Sequence, residues 1–314
     1  MHPAHDRFAA GRGYLAACTL GLPVDVTREA VRRDLERWSV GEAAASDYSA
    51  SLERARAHAA ALLGTTPGHV ATGSQVSVFA GLAAASAPAG AEVLCVDGDF
   101  SSVVGPFLAR GDLRVRHVPL AALADAVTSS TWLVSYSLVQ SATGEVADAS
   151  AITAASRAAG ALTLVDTTQA TGWMPTTDVE GDLVLCHAYK WLAAPRGAAF
   201  AAVSDRVMAE ITPQAAGWYS GSDPWASCYG PSLHLADDAR RFDVSPAWHA
   251  WAGAEAALGF AASLDMEEVR QHDVGLANAF RERLGLEASL GVGASDSAIV
   301  SWHDADGDDF RALT

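Results

Sequence analysis

The chain reads as an α/β protein with a mainly parallel β-sheet flanked by helices. Short apolar strand-like runs alternate with helical stretches up to about residue 203, the pattern of a sheet covered on both faces. Beyond about residue 205 the pattern changes, and two long helical stretches close the readable part. The length, 314 residues, is long for one compact core and favours a large domain plus a smaller one. The division expected is an N-terminal segment (1–26), a large domain (27–246) and a smaller α/β C-terminal domain (247–314) that is truncated.

In chain order, residues 27–38 and 50–63 read as helices; Leu52, Ala55, Ala59, Leu62 and Leu63 recur at helical spacing. Gly64–Gly68 breaks the pattern, and a helix runs from Ser74 to Ala85, just after Thr72-Gly73. Strands are expected at Glu92–Asp97, Val115–Leu120, Trp132–Val139, Leu162–Asp166, Leu183–Cys186 and Ala198–Val203. Helices at 101–110, 121–128 and 149–159 lie between several of them. Residues 213–246 are rich in Gly, Pro, Ser and aromatics and read as an ordered functional loop. Helices follow at 247–264 and 266–284, then the start of a small domain at 285–303 and another helix at the DDFRALT end.

Composition narrows the function. Half the residues are hydrophobic and 18% are charged, as in a globular soluble protein. The net charge of −16 repels phosphate backbones, so no nucleic-acid partner is expected. Cys18, Cys95, Cys186 and Cys228 form no CxxC pair and read as free thiols of a cytoplasmic protein. No signal peptide and no membrane-spanning run is seen. A nucleotide-binding reading is weak, because no GxGxxG or GxxxxGK[ST] follows a strand.

The chemistry concentrates in LTLVDTTQATGWMPTTDVEGDLVLCHAYKWLAAPRGAAF, residues 162–200. One strand ends at Asp166, with Gln169 close behind; a second ends shortly before Lys190. Ligands of parallel sheets sit beyond the carboxyl ends of strands, where Asp166 and Lys190 both project. An acid and an amine so placed suit pyridoxal 5′-phosphate (PLP), which needs a lysine for its aldehyde and an acid against its pyridine nitrogen. Taken alone, Asp166 and Lys190 would more often be a structural ion pair.

With Gln169, the aromatic residue after Lys190 and the Pro-Arg-Gly turn, the segment resembles the signature of class V PLP-dependent aminotransferases. That fold type I group includes cysteine desulfurases, kynureninases and isopenicillin N epimerase-like enzymes. The resemblance implies a Lys190 Schiff base, Asp166 at the pyridine nitrogen and Gln169 near the ring oxygen, with Lys190 and Asp166 catalytic. YLAACTLGLP (14–23) resembles a segment lining the substrate site. TGSQ (72–75) resembles the turn at a helix start, making Ser74 and Gln75 phosphate candidates; a simple helix cap is the alternative. Phe100 stands where relatives stack an aromatic over the ring, or is a core phenylalanine. Gln140 or Ser141 would approach the ring oxygen.

CHAYK (186–190) places Tyr189 beside the lysine, as in kynureninases, and His187 at a phosphate-binding position. GWYSG (217–221) and RRFDVSP (240–246) resemble loops that reach a neighbouring subunit's cofactor. Trp218 and Ser245 would then contact phosphate or substrate across a homodimer interface; ordinary loop packing and a helix cap at Ser245 are the alternatives. Trp225, Cys228 and Tyr229 are candidates for shaping the substrate pocket. No metal site is expected. The resemblance implies an aminotransferase-like enzyme acting on an amino acid; the alternatives are a carbon–sulfur or carbon–carbon lyase and a non-catalytic PLP-fold binding protein. A standard desulfurase is disfavoured, because Cys228 lies too near Lys190 to be its sulfur acceptor. Relatives carry a later arginine that clamps the substrate carboxylate; Arg311 comes too early for it.

Overall fold

A computed structural model describes residues 6–8, 13–286 and 296–302. Leu162–Asp166 forms strand β5, buried at every residue, near the middle of a seven-stranded sheet. The others are β1 (Val70–Gly73), β2 (Glu92–Val96), β3 (Arg114–Val118), β4 (Thr131–Ser137), β6 (Leu183–His187) and β7 (Ala199–Val203). Their order is β1-β7-β6-β5-β4-β2-β3. β7 alone runs against its neighbours, pairing antiparallel with β1 and β6; the remaining pairs are parallel. The sheet is therefore mainly parallel, as expected.

Alternation along each strand feeds two faces. Leu133, Leu164 and Leu185 join one core with Phe79 and Phe107, from helices α3 (Val76–Ser86) and α4 (Ser101–Leu108). Val134 and Val165 face the opposite way, onto Ile152 of α5 (Ala149–Ala159) and onto Trp173. Helix α5 begins where Asp148 accepts the Ala151 N–H at 2.9 Å and ends at Gly160, whose φ of 76° is left-handed.

Helices α1 (Asp25–Ser39), α2 (Ala45–Leu62) and α7 (Trp248–Ala262) pack together. Trp251, Ala254 and Leu258 of α7 share a core with Leu52, Ala55 and Ala59 of α2 and with Val184 and Phe200 of the sheet. Two further helices are α6 (Asp205–Glu210), which the sequence reading lacked, and α8 (Met266–Leu284). Arg311 and the helix at DDFRALT lie outside the described residues, as does most of the segment 285–303.

One expected helix is absent. Residues 121–128 form a 3-10 turn at Leu120–Ala122 followed by further turns. The connection 119–130 must cross β2, since β4 pairs with β2 and not with β3. It must also run back the length of a strand. At about 1.5 Å per residue a helix is too short for that path. Loop 213–246 is ordered, as read: it carries 3-10 turns at Trp218–Ser220 and Ala239–Phe242.

Candidate active site

The carboxyl ends of β2, β4, β5 and β6 meet at one edge of the sheet. Residues at or just past those ends line a narrow cleft: Phe100, Ser137, Asp166, His187, Tyr189 and Lys190, with Gln169 beside them. Asp166 is the last residue of β5 and His187 the last of β6; Lys190 follows in the turn. The two strand ends are tied where the His187 N–H donates to Thr168 Oγ1 at 2.9 Å.

Asp166 and Lys190 are both buried. Among the described residues no ion pair or hydrogen bond joins them, so the structural-pair alternative fails. The Asp166 carboxylate accepts the Thr168 N–H at 2.9 Å. Burial pushes its pKa up to about 6, against the pull of Thr168 and of the Lys190 charge. Burial likewise lowers the pKa of Lys190, with Asp166 opposing. The Lys190 ammonium lies 5.1 Å from the ring centre of Phe100 and 5.8 Å from that of Tyr189. Phe100 is 42% exposed, which excludes the core-residue alternative.

His187 is buried and its Nε2 has no hydrogen-bond partner. Burial first, then the charges of Arg196 and Lys190, lower its pKa to about 4, so it is neutral at pH 7. The ring sits 4.4 Å from that of Tyr189, edge-on.

Gln169 is held from two sides. Its amide nitrogen donates to the Cys18 carbonyl at 2.9 Å, and its oxygen accepts the Trp191 indole N–H at 2.9 Å. The Cys18 bond belongs to an N-terminal segment that crosses the Lys190 turn. There the Gly21 N–H donates to the Tyr189 carbonyl at 2.9 Å. A Cβ on Gly21 would stand 1.8 Å from the Lys190 carbonyl oxygen, so only glycine fits.

Other expected residues are placed less centrally. Ser74 and Gln75 precede α3 and do not line the cleft, although Val76 does. Neither Thr72 nor Ser74 caps α3: its N-cap is Gln75, with no side-chain hydrogen bond. Ser141 lines the cleft; Gln140 is buried and donates to the Ser137 carbonyl at 3.1 Å. Trp218 packs on Tyr219 and Trp225, and Ser245 is exposed and caps nothing, since α7 has Ala247 at its N-cap. Trp225 and Tyr229 are exposed, and Cys228 is a half-buried free thiol.

The sequence reading missed Asp99, Thr168 and Arg196. Asp99 accepts the Phe100 N–H at 2.7 Å and the Ser137 N–H at 2.8 Å, which fixes Phe100 over the cleft. Its strand-end position beside Phe100 is the signal that would have found it. Among the described residues no group of His, Cys, Asp or Glu is arranged to hold a metal. A larger cavity of about 370 Å³ lies between α2, residues 171–177 and the α7–α8 junction, with Asp265 and Glu267 among its lining residues.

Comparison with known proteins agrees with this geometry. The sequence profile described as "Aminotransferase class-V" matches residues 40–298. A kynureninase of Deinococcus radiodurans is 32% identical over 260 residues, 78% of this chain. The chain spans 62% of that kynureninase's length. Among solved structures, a C-DES mutant with glycine covalently linked to the PLP cofactor superposes with a TM-score of 0.81 at 21% identity, over 94% of this chain and 84% of that one. The Escherichia coli cysteine desulfurase CsdA gives 0.81 at 18% identity, over 97% and 83%. At such identities the structures share the fold, that of fold type I PLP enzymes. The chain belongs to the class-V aminotransferase family, whose cofactor is pyridoxal 5′-phosphate.

Proposed function

We propose that the chain is a PLP-dependent enzyme acting on an amino acid at the cleft between Asp166 and Lys190. One observation carries the reading: a buried acid and a buried amine line one cleft without pairing, beside a buried His187 nitrogen that lacks a partner. Burying two charged groups apart and leaving the His187 nitrogen without a partner is costly, and PLP has a matching group for each. The residues present therefore fit the cofactor.

When bound, PLP supplies an electron sink that stabilises negative charge on the substrate α-carbon. With the cofactor bound, Asp166 would keep the proton on its pyridine nitrogen, Lys190 would hold it and move the α-carbon proton, and Phe100 would cover the ring. Gln169 would face the ring oxygen, and His187 and Tyr189 would seat the phosphate beside Val76, the residue at the start of α3 that lines the cleft. The family resemblance implies a homodimer, in which a second copy would contribute Trp218 and Ser245. The test is visible absorbance of the purified protein. Lys190→Ala is expected to lose the band of bound cofactor that borohydride bleaches in the wild type; a variant that keeps the band overturns the reading.

A lyase reaction stands beside transamination, because a kynureninase is 32% identical over 260 residues and Phe100 and Tyr189 resemble the kynureninase-like form, from which Gln169 departs. Parallel assays for keto acid, alanine and sulfide release separate the two. An amino-acid screen with no spectral change would instead favour a binding protein.

A further inference from the structure

Arg196 is exposed and, among the described residues, makes no hydrogen bond or ion pair. It does have one contact beside the cleft. The guanidinium lies 4.9 Å from the ring centre of Tyr189, a cleft-lining residue. The same ring also neighbours His187, 4.4 Å away, whose buried Nε2 has no partner. A cation stacked on an aromatic face is held in place while its N–H groups stay available.

We propose that Arg196 is an oxyanion ligand of the cleft, and that its anion is the phosphate of the cofactor. The proposal rests on the PLP reading above and deepens it. A phosphate brought into a cleft needs opposite charge as well as hydrogen bonds. His187 is neutral at pH 7 and supplies a hydrogen bond only. In the PLP reading Lys190 is committed to the cofactor's aldehyde and leaves no free charge for the phosphate. Arg196 is the remaining cation beside Tyr189 among the described residues, and its planar fork suits two oxygens of one phosphate. The same chemistry would take a substrate carboxylate, so the two sources must be separated by experiment.

The discriminating probes are PLP and pyridoxal, which lacks the phosphate. Equilibrium dialysis of the full chain gives both affinities for the wild type, Arg196→Gln and Arg196→Lys. Arg196→Gln is expected to weaken PLP binding by about tenfold, about 1.4 kcal/mol, while pyridoxal binding stays unchanged. Arg196→Lys recovers part of the loss, since it restores the charge without the fork. An equal loss for both ligands, or none, overturns the proposal. So does an unchanged PLP-to-pyridoxal ratio joined to a raised KM for an amino acid, which assigns Arg196 to the substrate carboxylate. If Arg196→Gln does not fold, the ratio for Arg196→Lys decides: unchanged from wild type, it overturns the proposal. Wild-type protein that binds neither ligand defeats the PLP reading itself, an outcome distinct from failure at Arg196.

Discussion

Asp166 and His187 carry opposite burdens of burial, and the signs can be followed through pH. The folded-state pKa of Asp166, about 6, lies above its ordinary 3.8. The unfolded chain therefore loses that proton first, and stability falls as pH rises between those values. His187 is lowered from 6.5 to about 4. Its contribution is complete above pH 6.5 and is lost as pH falls toward 4. In cofactor-free protein the two slopes oppose each other across this window. The variant His187→Asn removes one of them, so its urea midpoint should decline from pH 4 to 6 more steeply than that of the wild type. Parallel curves for the two proteins would contradict the burial of His187. Arg196 was illegible in the sequence for a related reason: its place depends on which ring it stacks against, and spacing along the chain does not encode that.

Among the elements, the long buried strands and amphipathic helices were legible because periodicity reports them directly. β5 was read at its observed ends, as were α5 and α8. β1 was missed because four residues at a sheet edge carry no period. The expected helix at 121–128 failed because reach, not propensity, decides a short connection. Asp166, Gln169, His187, Tyr189 and Lys190 lie within one stretch of sequence, and adjacent strand ends bring them to one cleft. Ser245 and Trp218 come from loops whose course only tertiary packing fixes. The N-terminal segment offers the sharpest test at this scale. Gly21→Ala forces a Cβ against the Lys190 carbonyl. It should lift the segment, break the Gln169–Cys18 hydrogen bond and speed proteolytic cleavage near residues 14–23. An unchanged cleavage rate would mean that the segment can shift without detaching.

Across the whole molecule, the site is held by packing that reaches far from it. Arg56 and Asp243, both buried, form an ion pair at 2.6 Å, and Asp243 also accepts the Thr72 N–H at 2.7 Å at the end of β1. Loop 213–246 thus fixes the strand that leads into α3. On the other side, α7 approaches both α1 and the turn after Lys190. A Cβ on Gly253 would lie 2.5 Å from Pro195 Cγ and 2.7 Å from Val31 Cγ2. Gly253→Ala should therefore destabilise the protein by roughly 1–3 kcal/mol, as overpacking does. Thermal melting measures the loss, and a rise in Tm would show that α7 has room to move.

The contact between Cys18 and Gln169 spans 151 positions, which bears on when a vitamin B6 coenzyme can be captured. Bringing such distant stretches together costs entropy that only the assembled sheet repays. On the ribosome, residues 14–23 emerge long before their dock beside Tyr189 and Trp191 exists. The pocket wall that residues 14–23 complete beside Gln169 therefore exists only in the finished fold.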